Sequence, residues 1–520
     1  MKIDRSEKIQ KKMKNILTFY LLIIVTINGF GQSIDDRFSQ KQMSKDLAVF
    51  KEIRIKANSG LYKYRSKTQI DSLYNWAENE IKNLTTYREF YNLITILTDY
   101  EGSCHNSTLL PKKHQNKLRG EFYGYFPFPI KWINGKWLIN FKDGNIPLGS
   151  EIVSINDVEI SEIINSLEKY STSDGINKTG KRIDIRTHFA AYYRINYGLI
   201  DSFKVEFKTI ESIKPQIITL QSVSYQEYYK NFRNLFSKPL DQFYYGKLNE
   251  NQKYFVTYID SVTTMLTIRS FSIGNENSIG HKNYLAFLDS TFAKIRNDNI
   301  KNLILDIRQN GGGDDPNDVI TYSYLTERNF QENKQAWVSF KKIPLIKYYN
   351  IGIPKFIRPF VAPKYNHQIQ NLFPLEKDGK YYQDKNNDYN KQRLPNKNAF
   401  TGNIFLLIDP AIASAASLFG SMVAGNKNTI VIGEETVGGY YGHNGYNVLE
   451  YKLPNSNIIT KFFMVNLEQD VIKEEHQYYN RGIIPDIEII QDYEDFLNNE
   501  DTQLKFVKSL INKKKKTNNL

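Results

Sequence analysis

One cysteine, Cys104, occurs in 520 residues. That scarcity excludes an internal disulfide and any structural zinc site built on cysteines. Long apolar runs are missing near the N-terminus too: the stretch from Ile16 to Ile27 is twelve residues long, too short for a helix that crosses a bilayer, and no cysteine stands near its end to carry a lipid. Apart from KKKK at Lys513 to Lys516 there is no basic block, and none interleaved with aromatics. The net charge of +13 therefore reads as solvated lysine surface and not as a nucleic-acid footprint. The phosphate-loop ending Gly-Lys-Ser/Thr and the GxGxxG spacing are both absent around the chain's glycine run.

What is present begins with a leader. Lys8, Lys11, Lys12 and Lys14 precede the apolar stretch, and Gly29-Phe30-Gly31 places small residues where a signal peptidase reads. The pattern predicts a signal peptide over residues 1–31, cleaved before Gln32, with the mature chain periplasmic or secreted and its membrane contact limited to the export signal. An uncleaved N-terminal anchor is the alternative.

At this length the mature chain exceeds one ordinary core. Residues 32–115 show apolar positions at helical spacing, as in SLYNWAENEIKNL and YREFYNLITILTDY, and predict a small helical domain. Residues 120–215 turn to short strands, including a hairpin about Asn134-Gly135 in IKWINGKWLINF. From about residue 220 to 495 strands alternate with helices, which predicts an α/β core within a multi-domain α+β chain. Residues 327–398 break that rhythm and read as an insertion beside the site or a surface elaboration. Residues 496–520 read as a basic C-terminal tail.

Two segments carry chemistry. NIFLLIDPAIASAASLFG, from Asn403 to Gly420, is an apolar strand that breaks at Asp409-Pro410 and delivers Ser414 to the start of a small-residue helix. The free amides of a first helical turn face such a serine and can hold an oxyanion. NLILDIRQNGGG ends in Gly311-Gly312-Gly313, where the backbone can approach a ligand closely. Together they suggest acyl transfer, with the amides of Ala415 and Gly312 as oxyanion donors. Asp306 and Arg308 are expected to tie the strand to its neighbours by ion pairing.

LILDIRQNGGG and IASAASLFGSMVAGNKNTIVIGEETVGG resemble the glycine strand and nucleophile helix of the tail-specific (C-terminal-processing) proteases and the related tricorn-core serine peptidases. YKLPNS and RGIIPDIEI resemble their later landmarks, so the likeness runs from about residue 70 to 490. It implies a crotonase-like catalytic sheet and a serine endopeptidase without metal or organic cofactor, acting on polypeptides. IPLGSEIVSINDVEISEIINSLEKY is similar to a PDZ core, which binds an extended peptide at a sheet edge; a plain β-rich spacer is the alternative. The lysine of the tail-specific branch is replaced by Gly439 in GEETVGG. The resemblance to the tricorn-like branch instead offers His105, in EGSCHNSTL, as base, with His443 as main rival and His476 a weaker one. For the acid that orients the imidazole, the matching position is Tyr479. Glu475, Glu474 and Glu435 lie within reach in sequence, and Glu475 is taken as the candidate. The competing readings are a catalytically inactive peptide-binding scaffold of the same fold, and other acyl chemistry on a crotonase-like sheet.

Overall fold

The strands Asn302–Asp306 and Asn403–Ile408 are buried almost throughout, the pattern of parallel strands covered on both faces. A computed structural model describes residues 33–212, 214–237, 248–354 and 356–518; the expected signal peptide and its cut before Gln32 lie outside the described residues. In it, the strands of this sheet run in the order Ile487–Glu488, Thr429–Gly433, Asn403–Ile408, Asn302–Asp306, Thr263–Ile268 and Tyr254–Asp260. All are parallel except the last.

The two-residue period of these strands decides what covers them. Leu303, Leu305, Ile404, Leu406 and Ile408 join a core with Phe292 and Phe419 from flanking helices. Ile304, Phe405 and Leu407 face the other way, onto Val507 and Ile511. Those last two belong to the helix Thr502–Asn518, so the segment expected as a basic tail begins as a packed helix: Leu504, Val507 and Ile511 recur at helical spacing and cover the sheet. Asp306, at the end of its strand, is bound by Arg269 and Arg308, and Arg308 reaches Asp501 at 2.8 Å, the ion pairing expected.

A second sheet is organised on the strand Ile459–Gln469. Asn444–Lys452 pairs with it, as do Ser107–Leu109 and Asn333–Val338, all antiparallel. Asn333–Val338, with the hairpin Leu375–Lys377 and Lys380–Tyr382 and the helix Arg358–Leu372, lies inside the 327–398 segment, which is more regular than its sequence suggests. The short strand Ser107–Leu109 comes from the helical region that includes Gln40–Ala57, Lys67–Glu80 and Tyr87–Tyr100. Its register, Ser107 opposite Lys461, joins segments far apart in the chain.

The junction is reinforced by polar groups that burial would otherwise penalise. Glu101 is buried and accepts from the Arg54 guanidinium, from Asn58 Nδ2 at 3.0 Å and from Asn106 Nδ2 at 2.7 Å. Asp46 accepts from the amides of Asn455 and Ser456 at 2.9 and 2.7 Å. A third, antiparallel sheet holds Ile130–Ile133, Lys136–Ile139, Glu151–Ile155, Ser202–Lys208 and Gln216–Gln221. Its first hairpin turns at Asn134 and Gly135, both at positive φ, as the sequence indicates. The helices Ile160–Leu167 and Thr179–Tyr197 supply Ile163, Leu167, Ile185 and Phe189 to its core.

Candidate active site

The apolar strand Asn403–Ile408 ends at a turn that delivers Ser414 to the N-terminus of the helix Ala415–Ala424. Ser414 adopts φ 56° and ψ −134°, a conformation few residues other than glycine tolerate, and such strain persists only where its surroundings enforce it. The enforcement is visible. The Ser414 carbonyl accepts from the amides of Ser417 and Leu418 and from the Ser417 hydroxyl at 2.8 Å, and the glycine run presses against the turn from the neighbouring strand. A Cβ on Gly312 would lie 2.8 Å from the Ser414 Cβ and 3.0 Å from the Ala415 nitrogen, and Gly312 has φ +99°, so only glycine fits there.

Ser414 opens into a cavity of about 410 Å³ that it shares with Gly313, Ala415, His443 and Phe463. Ala415 is thus where an oxyanion donor is expected. Gly312 is not on the cavity wall, and its amide is already donated to Asn310 Oδ1 at 2.9 Å. The glycine of the run that meets the cavity is Gly313.

Two imidazoles come together, one of them on the wall of the serine's cavity. His443, buried on the cavity wall, stacks on His105 with ring centroids 4.8 Å apart and 27° between planes, and His105 also packs on Phe463 at 4.6 Å. Strand pairing produces the arrangement: His105 precedes Ser107–Leu109, which is zipped to the strand carrying Phe463, while His443 leads into Asn444–Lys452, another partner of that strand. Burial, and then the Lys461 ammonium, push His105 down to about 4. Burial also holds His443 well below the ordinary imidazole range, with His105 and Lys63 adding to the effect. Both rings are neutral at neutral pH.

Asp174 is the carboxylate that binds Cys104, next to His105. Its buried side chain accepts from the Cys104 amide at 2.9 Å, the Cys104 thiol at 3.4 Å and the Gly439 amide at 2.9 Å. The Cys104 sulfur lies 3.3 Å from His105 Nδ1. Burial and the Asp174 carboxylate raise the Cys104 thiol well above its usual range, so it keeps its proton. Glu475, expected as the orienting acid, is instead exposed on the loop before Ile487–Glu488 and is not on the cavity wall. Glu435 is bound by the Arg481 guanidinium and the Gly482 amide, and His476 lies 3.2 Å from Asp486. Sequence reasoning missed Asp174 because it stands in an unremarkable Ser-Asp-Gly turn. It also passed over Asp314 and Asp315, adjacent to the glycine run, and Glu332, all on the cavity wall.

Comparison with known proteins finds a family likeness for the part of the chain that carries Ser414. Residues 263–489 match the profile of peptidase family S41. Among solved structures, mature CPAF complexed with lactacystin superposes with a TM-score of 0.57 at 12% identity, over 91% of this chain and 97% of that one. Mature CPAF gives 0.56 at 11% identity, over 88% and 94%. Likeness at that identity is a likeness of fold. A search of curated proteins by sequence finds no match.

Proposed function

We propose, for a chain whose residues 263–489 belong to peptidase family S41 and which is a serine-type peptidase, that Ser414 cleaves polypeptides through an acyl-enzyme. The observation that carries this reading is the placement of Ser414: a strained turn on a parallel sheet, at a helix N-terminus, in a cavity with an imidazole on its wall. In the reaction, Ser414 Oγ bonds to the peptide carbonyl carbon and its proton passes to a ring nitrogen. The oxyanion is held by the Ala415 amide and the Gly313 segment. Collapse expels the amine, which takes that proton, and water then releases the acyl group by the same route in reverse.

His105 is the base in this proposal. A base needs one ring nitrogen fixed by a third group so that the other is free to accept. Because the Cys104 thiol donates to Asp174, its sulfur can accept from His105 Nδ1–H, which leaves Nε2 without a proton. His443 Nδ1 has no hydrogen-bond partner among the described residues. A second reading, with His443 as base, is favoured by its place on the cavity wall beside Ser414.

The finer features follow the sequence. Export through the residue 1–31 leader would place the mature enzyme in the periplasm or outside the cell, and the 120–215 region, read as PDZ-like, would present unfolded or C-terminally recognised chains to Ser414. A fluorophosphonate probe tests the chemistry directly. Covalent capture at Ser414 that is lost in Ser414→Ala is the expected result; a mature protein that stays unlabelled and cleaves no peptide is the inactive scaffold.

A further inference from the structure

The cavity that holds Ser414 is acidic on one side. Asp314, Asp315 and Glu332 are on its wall, and no lysine or arginine is among its lining residues. Glu332 is 1% exposed. The Tyr446 hydroxyl donates to its Oε1 at 3.1 Å, and Asn333 braces Tyr446 in turn. Its other oxygen, Oε2, has no hydrogen-bond partner among the described residues although it is buried. A buried carboxylate oxygen left without a donor is costly, and its position on the wall of a substrate-sized cavity indicates a donor brought by a ligand. We propose that this cavity is a subsite for a cationic side chain of the peptide, lysine or arginine, with Glu332 as its counter-ion and Asp315 beside it.

The rest of the wall suits such a side chain. Leu372, Phe373, Leu418 and Met464 supply apolar surface for the aliphatic stem, while the charged head reaches the carboxylates. Asp318, buried nearby, interacts with Asp315 and Glu332, and Arg393 acts on all three. Burial raises Asp315, Asp318 and Glu332 above the ordinary carboxylate range, with repulsion from Asp314 adding to the shift of Asp315, from Asp315 to that of Asp318, and from Asp318 and Asp315 to that of Glu332. An entering ammonium or guanidinium relieves that repulsion and lets a proton leave. Among the described residues no cluster of histidine, cysteine and acidic groups has the arrangement of a metal site, which favours an organic cation.

This inference deepens the peptidase reading, and its test separates the two. Ser414→Ala protein is titrated with fluorescein-labelled decapeptides identical except that each position in turn carries lysine, arginine, norleucine or glutamate, and affinity is read by fluorescence polarisation. At one position lysine and arginine are expected to bind roughly tenfold or more tightly than norleucine, with glutamate weakest. Adding Glu332→Gln, which keeps the side-chain shape, should bring lysine and norleucine within about threefold of each other, and Asp315→Asn should have a smaller effect. Norleucine binding as tightly as lysine at every position, no binding of any lysine peptide, or a lysine preference that survives Glu332→Gln overturns the subsite. The first two outcomes need no folded variant of Glu332. Fluorophosphonate capture at Ser414 in the unsubstituted protein is read separately, so lysine selectivity without capture sinks the chemistry and leaves the subsite standing.

Discussion

At the scale of single residues, the stacked pair His105 and His443 makes the sharpest claims. If His105 serves Ser414, then Ser414→Ala and His105→Ala should each lower kcat/KM by roughly 10²–10⁴-fold and be no worse combined, because residues that act as one unit are not additive. Full activity in His105→Ala with loss in His443→Ala would move the role to the cavity-wall ring. The pH profile gives an independent reading. A base must be neutral to accept the serine proton, and His105 is held down to about 4 by burial and Lys461. The acidic limb of kcat/KM should therefore fall near pH 4 and not near the 6.5 of a solvated imidazole. Lys461→Met removes the second of those causes and should move the limb upward. A limb already at 6.5 in the unsubstituted enzyme contradicts a desolvated base. Ser414 itself was legible in the sequence, because strand, turn and helix are contiguous there. Asp174 was not, since nothing near it in the chain needs a carboxylate.

At the scale of elements, two buried charge clusters behave oppositely. Glu101 compensates Arg54 and also holds Asn58 and Asn106, one residue beyond His105. Glu101→Ala should cost roughly 3–5 kcal/mol, because it leaves a buried guanidinium without its partner, and it should loosen the His105 segment. Denaturant unfolding measures the first effect, and a drop in kcat larger than the change in KM measures the second. Asp318, on the short helix Asn317–Ser323, is pushed up to about 8 by burial and Asp315. The unfolded chain ionises this group near pH 4 while the folded one keeps its proton. Its contribution to stability is therefore present below pH 4 and lost as the pH rises toward 8. Asp318→Asn should stabilise the protein by roughly 1–3 kcal/mol at pH 8 and by nothing comparable at pH 4. Equal effects at both pH values would mean that Asp318 ionises normally.

At the scale of the whole molecule, the predictions concern delivery. Removal of residues 120–215 should reduce cleavage of long unfolded chains far more than of a short peptide, since the region would present substrate and not cut it. Equal losses on both substrates would assign it a structural role, for which the buried junctions around Thr179–Tyr197 offer a means: Lys181 binds Asp99, and Arg194 binds Glu121 and Asp35. Intact mass of the exported protein tests the leader. A chain beginning at Gln32 is expected, and one still beginning at Met1 and held in the membrane rules the cleavage out.

The sequence by itself determined what depends on neighbours in the chain. The apolar strands Asn302–Asp306 and Asn403–Ile408, the turn that delivers Ser414 to its helix and the Asn134-Gly135 hairpin are set by local sterics and hydrophobic pattern. The tertiary structure alone decided which distant groups meet. Pairing of Ser107 with Lys461 carries His105 onto His443, and the turn at Asp174 closes against Cys104 and Gly439. The 327–398 segment folds Glu332 into the wall of the serine's cavity. These contacts join residues with no common period or motif, and it is burial, which withdraws water from each of them, that turns ordinary side chains into perturbed acids and bases.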